Sequence, residues 1–198
     1  MAAERDAAIG AAMAWWSRLR QEEGSSRASS ARLRRCGSVF DALLQPETQD
    51  LIRAVRSAGG DLLAGDINHR LAVLAISLVL VETASQVPLA EALGRTADGL
   101  KPKPNENDRQ RLSPIRFGSL LRYAHARDWD GFARSLRRAL AIVRNPSFSV
   151  AAFVADMLFF GDRVLERWTY QYWQTSGPEQ LQSDAATPIS SPVTEDMP

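Results

Sequence analysis

Between Leu71 and Val81 the chain places Leu71, Val73, Leu74, Ile76, Leu78, Val79, Leu80 and Val81 around nearly the whole circumference of a helix. A helix that is apolar all round has to sit at the centre of a bundle. The stretch is about half of the ~20 residues that span a bilayer, so it predicts a buried core element, not a membrane span. The run Ile76 to Val81 would also suit a buried strand. Its length and the lack of any other strand candidate favour a helix running from an N-cap at Asp66 to about Ala84.

The rest of the chain supplies helices to pack around that centre. Residues 3–23 carry Ile9, Met13, Trp16 and Leu19 at spacings of three and four. Residues 24–31, rich in Gly and Ser, read as a polar, flexible connection, followed by a short basic helix from Ala31. Ser38 suits a cap for Val39 onward. Pro46 suits the first turn of the next helix, which Gly59-Gly60 ends. A short helix follows Pro88. Ser113-Pro114 opens a helix with Phe117, Leu120, Leu121 and Ala124 inward, and Asp128 caps another with Phe132, Leu136, Leu140 and Val143 inward. Ser147 or Ser149 starts one long aromatic helix through Tyr172. The expected fold class is all-α: two packed helical bundles, 1–95 and 113–174, with a linker or loop at 96–112. A disordered acidic tail is expected at 175–198, where Pro, Ser, Thr, Gln and acids dominate.

Composition removes several chemistries. Cys36 is the single cysteine, which leaves no intramolecular disulfide and no thiolate zinc site. His69 and His125 stand at no metal-ligand spacing. There is no Gly-rich loop ending in Lys-Ser or Lys-Thr and no Gly-x-Ser-x-Gly. Asp128/Asp130 and Glu22/Glu23 read better as helix-end residues than as catalytic or metal-binding carboxylates. Cys36, beside Arg34 and Arg35, reads as a small core residue, with an activated thiol as the alternative. No catalytic residue, metal or cofactor is expected. The amino terminus shows no signal-peptide pattern, and a cytoplasmic protein is expected. Trp16, Trp168 and Tyr172 belong to the core by spacing, whereas Trp15 and Trp173 suit a protein interface.

Charge carries the functional signal. The formal net charge is only +1, yet residues 101–144 hold eleven basic residues against four acidic ones, a local excess of about +7. Arg27, Arg32, Arg34 and Arg35 form a second cluster without an intervening acid. Spacings of three and four put Arg134, Arg137 and Arg138 on one helix face, and likewise Arg32 and Arg35. Like charges so placed destabilise an isolated helix. They form either a track for phosphates or a face neutralised by acids of a neighbouring helix. Arginine predominates over lysine throughout, which suits phosphate geometry and also follows from a GC-rich genome.

The ordered set of motifs resembles a known family. It comprises Trp-x-x-Leu-Arg (Trp16 to Arg20), Ala-x-Leu-Arg-Arg (Ala31 to Arg35), Arg-Phe-x-x-Leu-Leu (Arg116 to Leu121), Leu-Arg-Arg (Leu136 to Arg138) and a long aromatic closing segment. Over about residues 10–174 the chain resembles the Cse2 (CasB) family, the small subunit of the type I-E CRISPR surveillance complex Cascade. Family members often carry a second basic residue after Arg-Phe, where this chain has Gly118 and Ser119. The resemblance implies a non-catalytic subunit that holds target and displaced DNA strands by their backbones and so stabilises the R-loop. It also implies association with the backbone and large Cascade subunits, a second copy of itself, guide RNA and target DNA. Neither a membrane nor a small-molecule substrate is implied. The expected phosphate contacts are Arg32, Arg34, Arg35, Arg116, Arg137 and Arg138, then Arg27 and Arg122. Two rival readings are a helix-turn-helix regulator formed by residues 113–144 and a helical scaffold whose arginines are all used in salt bridges.

Overall fold

The apolar helix occupies the centre, as its all-round hydrophobicity requires. In the computed structural model of the protein, which describes residues 2–21, 24–60, 65–95, 111–143 and 147–174, every residue from Arg70 to Leu78 is buried. The helices in chain order are α1 (Ala2–Leu19), α2 (Gly24–Arg35), α3 (Val39–Leu43), α4 (Pro46–Gly59) and α5 (Ile67–Leu78). Then come α6 (Leu89–Gly94), α7 (Pro114–His125), α8 (Trp129–Ile142), α9 (Val150–Leu158) and α10 (Asp162–Trp173). Helix α5 packs against α3, α4, α8 and α9; α1 lies on α4 and α9; α7 pairs with α8; and α6 lies on α10. Among the described residues the fold is all-α apart from one two-residue pairing. Buried residues from Ala8 to Tyr172 join in one core cluster.

Local chemistry explains the boundaries. Ser38 and Asp41 form a capping box on α3. Pro46 stands in the first turn of α4, and Gly60 ends that helix at φ +51°. Asp128 and Ser149 accept backbone N–H groups at the starts of α8 and α9. At Gly94 a side chain would collide with the Tyr172 backbone carbonyl, so glycine permits the close approach of α6 to α10. An aromatic group of Phe132, Phe153, Phe160 and Trp168 fills the space under α8, α9 and α10. Each such buried side chain contributes about 1.5–3 kcal/mol by removal from water.

Five expectations change. Residues 24–31 are helical, the first part of α2, not a flexible connection. The reason is tertiary: Ser26 and Ser30 hydroxyls donate to the Arg18 and Leu19 carbonyls in the last turn of α1, both at 3.2 Å. The central helix stops at Leu78 instead of Ala84. Side-chain donors take its last carbonyls: Trp16 Nε1 to Leu78 O at 3.3 Å and Arg34 Nη2 to Val79 O at 3.2 Å. Beyond it, Thr83–Ala84 (β1) pairs in parallel with Ser147–Phe148 (β2), in the register Thr83↔Ser147.

Asp66 does not cap α5 with its side chain; its carboxylate pairs with Arg70 at 2.9 Å and accepts Trp129 Nε1 at 2.8 Å. The closing aromatic segment is two helices. Buried Arg70 donates to the carbonyls of Met157 and Leu158, both at 2.8 Å, and Gly161 then starts α10 in an extended conformation. Trp15 is core, 4% exposed, with Nε1 donating to the Glu47 carbonyl at 2.9 Å; Trp173 is half exposed.

Of the expected linker, only Arg111 and Leu112 are described. They donate backbone hydrogen bonds to Arg95 O at 2.8 Å and Leu93 O at 3.1 Å. The rest of that linker and the expected acidic tail lie outside the described residues.

Candidate nucleic-acid interface

Helix geometry gathers the expected arginines into two grooves. The first, about 660 Å³, lies where the ends of α1 and α5 meet α2. Arg20, Arg27, Arg34 and Arg35 line it, with Glu82 as the one acid among the described residues of its lining. Two of these cations answer the carbonyls at and just beyond the end of α5: Arg34 at Val79, and Arg20 at Val81 O, 3.4 Å away. A helix C-terminus carries partial negative charge, and cations collect there for that reason alone. Arg20 also lies over the Trp16 ring, 5.0 Å from its centroid. Arg27 and Arg35 make no hydrogen bond or ion pair among the described residues.

The second groove, about 630 Å³, runs along α7 and α8. Arg116, Arg134 and Arg138 rim it, Tyr123, Ala139 and Ile142 floor it, Ser119 and Ser135 add hydroxyls, and no acid lines it among the described residues. None of these three arginines pairs with an acid among the described residues. The spacing 116, 119, 123 on α7 and 134, 138 on α8 brings these side chains to the two facing edges.

Arg137 stands between the grooves. Its guanidinium donates to the carbonyls of Arg34, at 2.6 Å, and of Cys36, so it ties α8 to the end of α2. Substitution of Arg137 therefore touches stability as well as charge, contrary to a purely surface role. Arg32 turns away from both grooves to pair with Glu47, its Nε 3.1 Å from Oε1. Burial alone would raise the Glu47 carboxyl, but hydrogen bonds from Arg32, its own backbone and Ser29 outweigh it and hold the carboxyl below the usual range. Arg122 donates to Ser119 Oγ at 2.8 Å and is otherwise exposed.

Of the expected set, Arg27, Arg34 and Arg35 thus share one groove and Arg116 and Arg138 share the other. Arg32, Arg122 and Arg137 line neither, although Arg137 ties the helix of the second groove to the backbone of Arg34 in the first. Arg20, Arg134 and Tyr123 were absent from the expected set. For Arg134 the signal was present as the i, i+4 partner of Arg138. For Tyr123 it was present as the continuation of the Arg116–Ser119 face.

Other chemistry is accounted for by packing. Cys36 is buried, and burial, aided by the Asp41 and Glu47 charges, raises its thiol against the opposing Arg137; this is the inert reading of that residue. Asp128 caps α8 and Asp130 accepts the Val39 amide at 2.6 Å. Among the described residues no group of three or more His, Cys, Asp or Glu could hold a metal, and no helix is long and apolar enough to cross a membrane. A helix-turn-helix reader needs the first turns of its second helix free for base edges. In α8 those turns hold Trp129, Gly131, Phe132 and Ala133, all buried. The all-protein scaffold reading needs the arginines used in ion pairs. Of the eight expected contacts, only Arg32 is so paired among the described residues.

Comparison with known proteins agrees with the motif order. No curated protein and no solved structure matches the chain. The sequence model for the family described as CRISPR-associated protein Cse2 matches residues 29–173, well over half of the chain and including Arg34, Arg35, Arg116, Arg134 and Arg138 but not Arg20 or Arg27. The chain therefore belongs to the Cse2 family, and with that to the subunits of the CRISPR Cascade complex.

Proposed function

We propose that this chain is the non-catalytic small subunit of a CRISPR RNA-guided surveillance complex, binding target and displaced DNA strands by their sugar-phosphate backbones and prolonging the life of the R-loop. The observation that carries the reading is the pair of arginine-lined grooves joined at Arg137. Arg27, Arg35, Arg116, Arg134 and Arg138 there have no carboxylate partner among the described residues. R-loop exchange is nearly balanced in energy, so a modest number of backbone contacts is enough to tip it. Charge attraction of this kind is blind to sequence and depends steeply on salt, by roughly 0.9 log units per phosphate on duplex DNA and about 0.7 on single strands.

In this reading the partners are the backbone and large subunits of Cascade, a second copy of the chain, guide RNA and target DNA. The test is a reconstituted guide-RNA complex with the wild-type chain, without it, and with Arg134→Glu/Arg138→Glu. Target-DNA dissociation should speed up without the chain and with the variant, while the variant still co-purifies with the complex. Equal dissociation rates in all three preparations would refute the proposal.

A further inference from the structure

The second groove holds a feature that phosphate binding does not call for. Tyr123 is 41% exposed and Ile142 42% exposed, and both face a space rimmed by three arginines. One side of the Tyr123 ring rests on the first turn of α8, at Gly131. A Cβ at that position would come 2.7 Å from Tyr123 Cε1, so glycine there lets the ring lie against the helix backbone. The ring has no aromatic partner and its hydroxyl no hydrogen bond among the described residues. This contrasts with Phe117 and Tyr172, which stack on one another at 3.9 Å between ring centroids.

We infer that Tyr123 is a stacking platform for an unpaired nucleobase, with Arg116, Arg134 and Arg138 holding the flanking phosphates. The inference rests on the backbone-binding function proposed above and assigns this groove to the displaced single strand. Four observations converge on a nucleotide. A rim of three cations, with no lining acid among the described residues, selects an anion. An exposed aromatic ring with an apolar floor selects a flat, weakly polar group beside that anion. The Ser135 hydroxyl in the lining offers a polar contact to a base or sugar, while the Ser119 hydroxyl already donates to the Ile115 carbonyl at 2.9 Å. The groove volume of about 630 Å³ lies inside the range of small-molecule sites. A paired base has both faces covered by its neighbours, so only an unpaired strand can offer one to the ring. Stacking of this type tolerates any base, in keeping with a sequence-blind subunit.

The test uses the full-length chain and two fluorescein-labelled single strands of equal length, one of thymidines and one abasic, titrated by anisotropy over a range of KCl concentrations. Wild type should bind the thymidine strand at least about fivefold more tightly, the size of one base–aromatic stack. Tyr123→Ala should erase that preference with the salt slope unchanged, and Tyr123→Trp should keep it. Tyr123→Leu retains an apolar contact on Gly131 and should melt like wild type yet lose the preference. Arg134→Ala and Arg138→Ala should weaken both strands and reduce the slope by roughly 0.7 each. A wild-type chain that binds both strands equally, or a preference that survives in Tyr123→Leu, overturns the stacking role and leaves the phosphate role standing. Arginine variants that bind both strands like wild type would remove the groove from the phosphate path, and the stacking inference with it.

Discussion

The two arginine-lined grooves differ in what their cations do when no nucleic acid is present. At the α1/α2/α5 groove, Arg34 and Arg20 are bonded to carbonyls at and just beyond the end of α5, and nearby Arg32 is bonded to Glu47. Part of that positive charge answers a helix dipole. At the α7/α8 groove, Arg116, Arg134 and Arg138 stand without acid partners among the described residues, around an apolar floor. The first groove is built of helix-tethering arginines that also present charge. The second presents charge and an aromatic ring with little structural duty. Arginine count alone therefore says little about affinity; what each guanidinium already holds decides how much it can give to a phosphate.

Substitutions can break or sharpen that contrast, and the largest effect belongs to the junction. Arg137→Ala removes hydrogen bonds from a charged donor to two carbonyls at the end of α2, a loss of about 1.5–3 kcal/mol. Urea unfolding would read it, and a variant as stable as wild type would show that the junction holds nothing. Next comes Gly131→Ala, whose new methyl group meets Tyr123 and the Asp128 carboxylate. About 1–3 kcal/mol of overpacking is expected. Nucleic-acid affinity should fall through the α7/α8 groove only, so that a further Arg35→Ala change adds its usual decrement.

Glu47→Gln should cost about 1 kcal/mol near neutral pH. The folded carboxyl lies below its ordinary value, so its contribution is present above about pH 4.3 and is lost as pH falls through the lower folded value. Unfolding at pH 7 and pH 3 should show the gap between variant and wild type closing in acid; a gap that widened there would reverse the sign. The smallest stability effect belongs to Arg138→Ala, within about 0.5 kcal/mol because the side chain ties nothing down among the described residues. Its binding loss should nonetheless appear as a shallower salt slope. A marked fall in melting temperature would move Arg138 to the tethering class and erase the contrast.

Much of the fold was readable in the order of residues. The position of α5 followed from its all-round hydrophobicity. The starts of α3, α4 and α8 followed from Ser38, Pro46 and Asp128, whose chemistry acts within one turn, and the start of α9 falls on Ser149, one of the two serines the sequence offered. Two ends were misread for one reason. The stop of α5 at Leu78 and the break before Gly161 are set by Trp16, Arg34 and Arg70, donors that come from elsewhere in the chain. The helicity of residues 24–31 depends likewise on serines reaching the end of α1.

The candidate interface was legible in the same partial way. Local sequence placed Arg134 with Arg138 and Arg32 with Arg35 on their helix faces, because helical period is a property of the backbone alone. It also determined the chain's all-α character and its family motifs. Only the tertiary structure decided that Arg32 turns to Glu47, that Arg137 binds the end of α2 and that Tyr123 stays uncovered over Gly131. A guanidinium's partner is whatever acceptor the packing brings within about 3 Å, and that choice rests on residues tens of positions away.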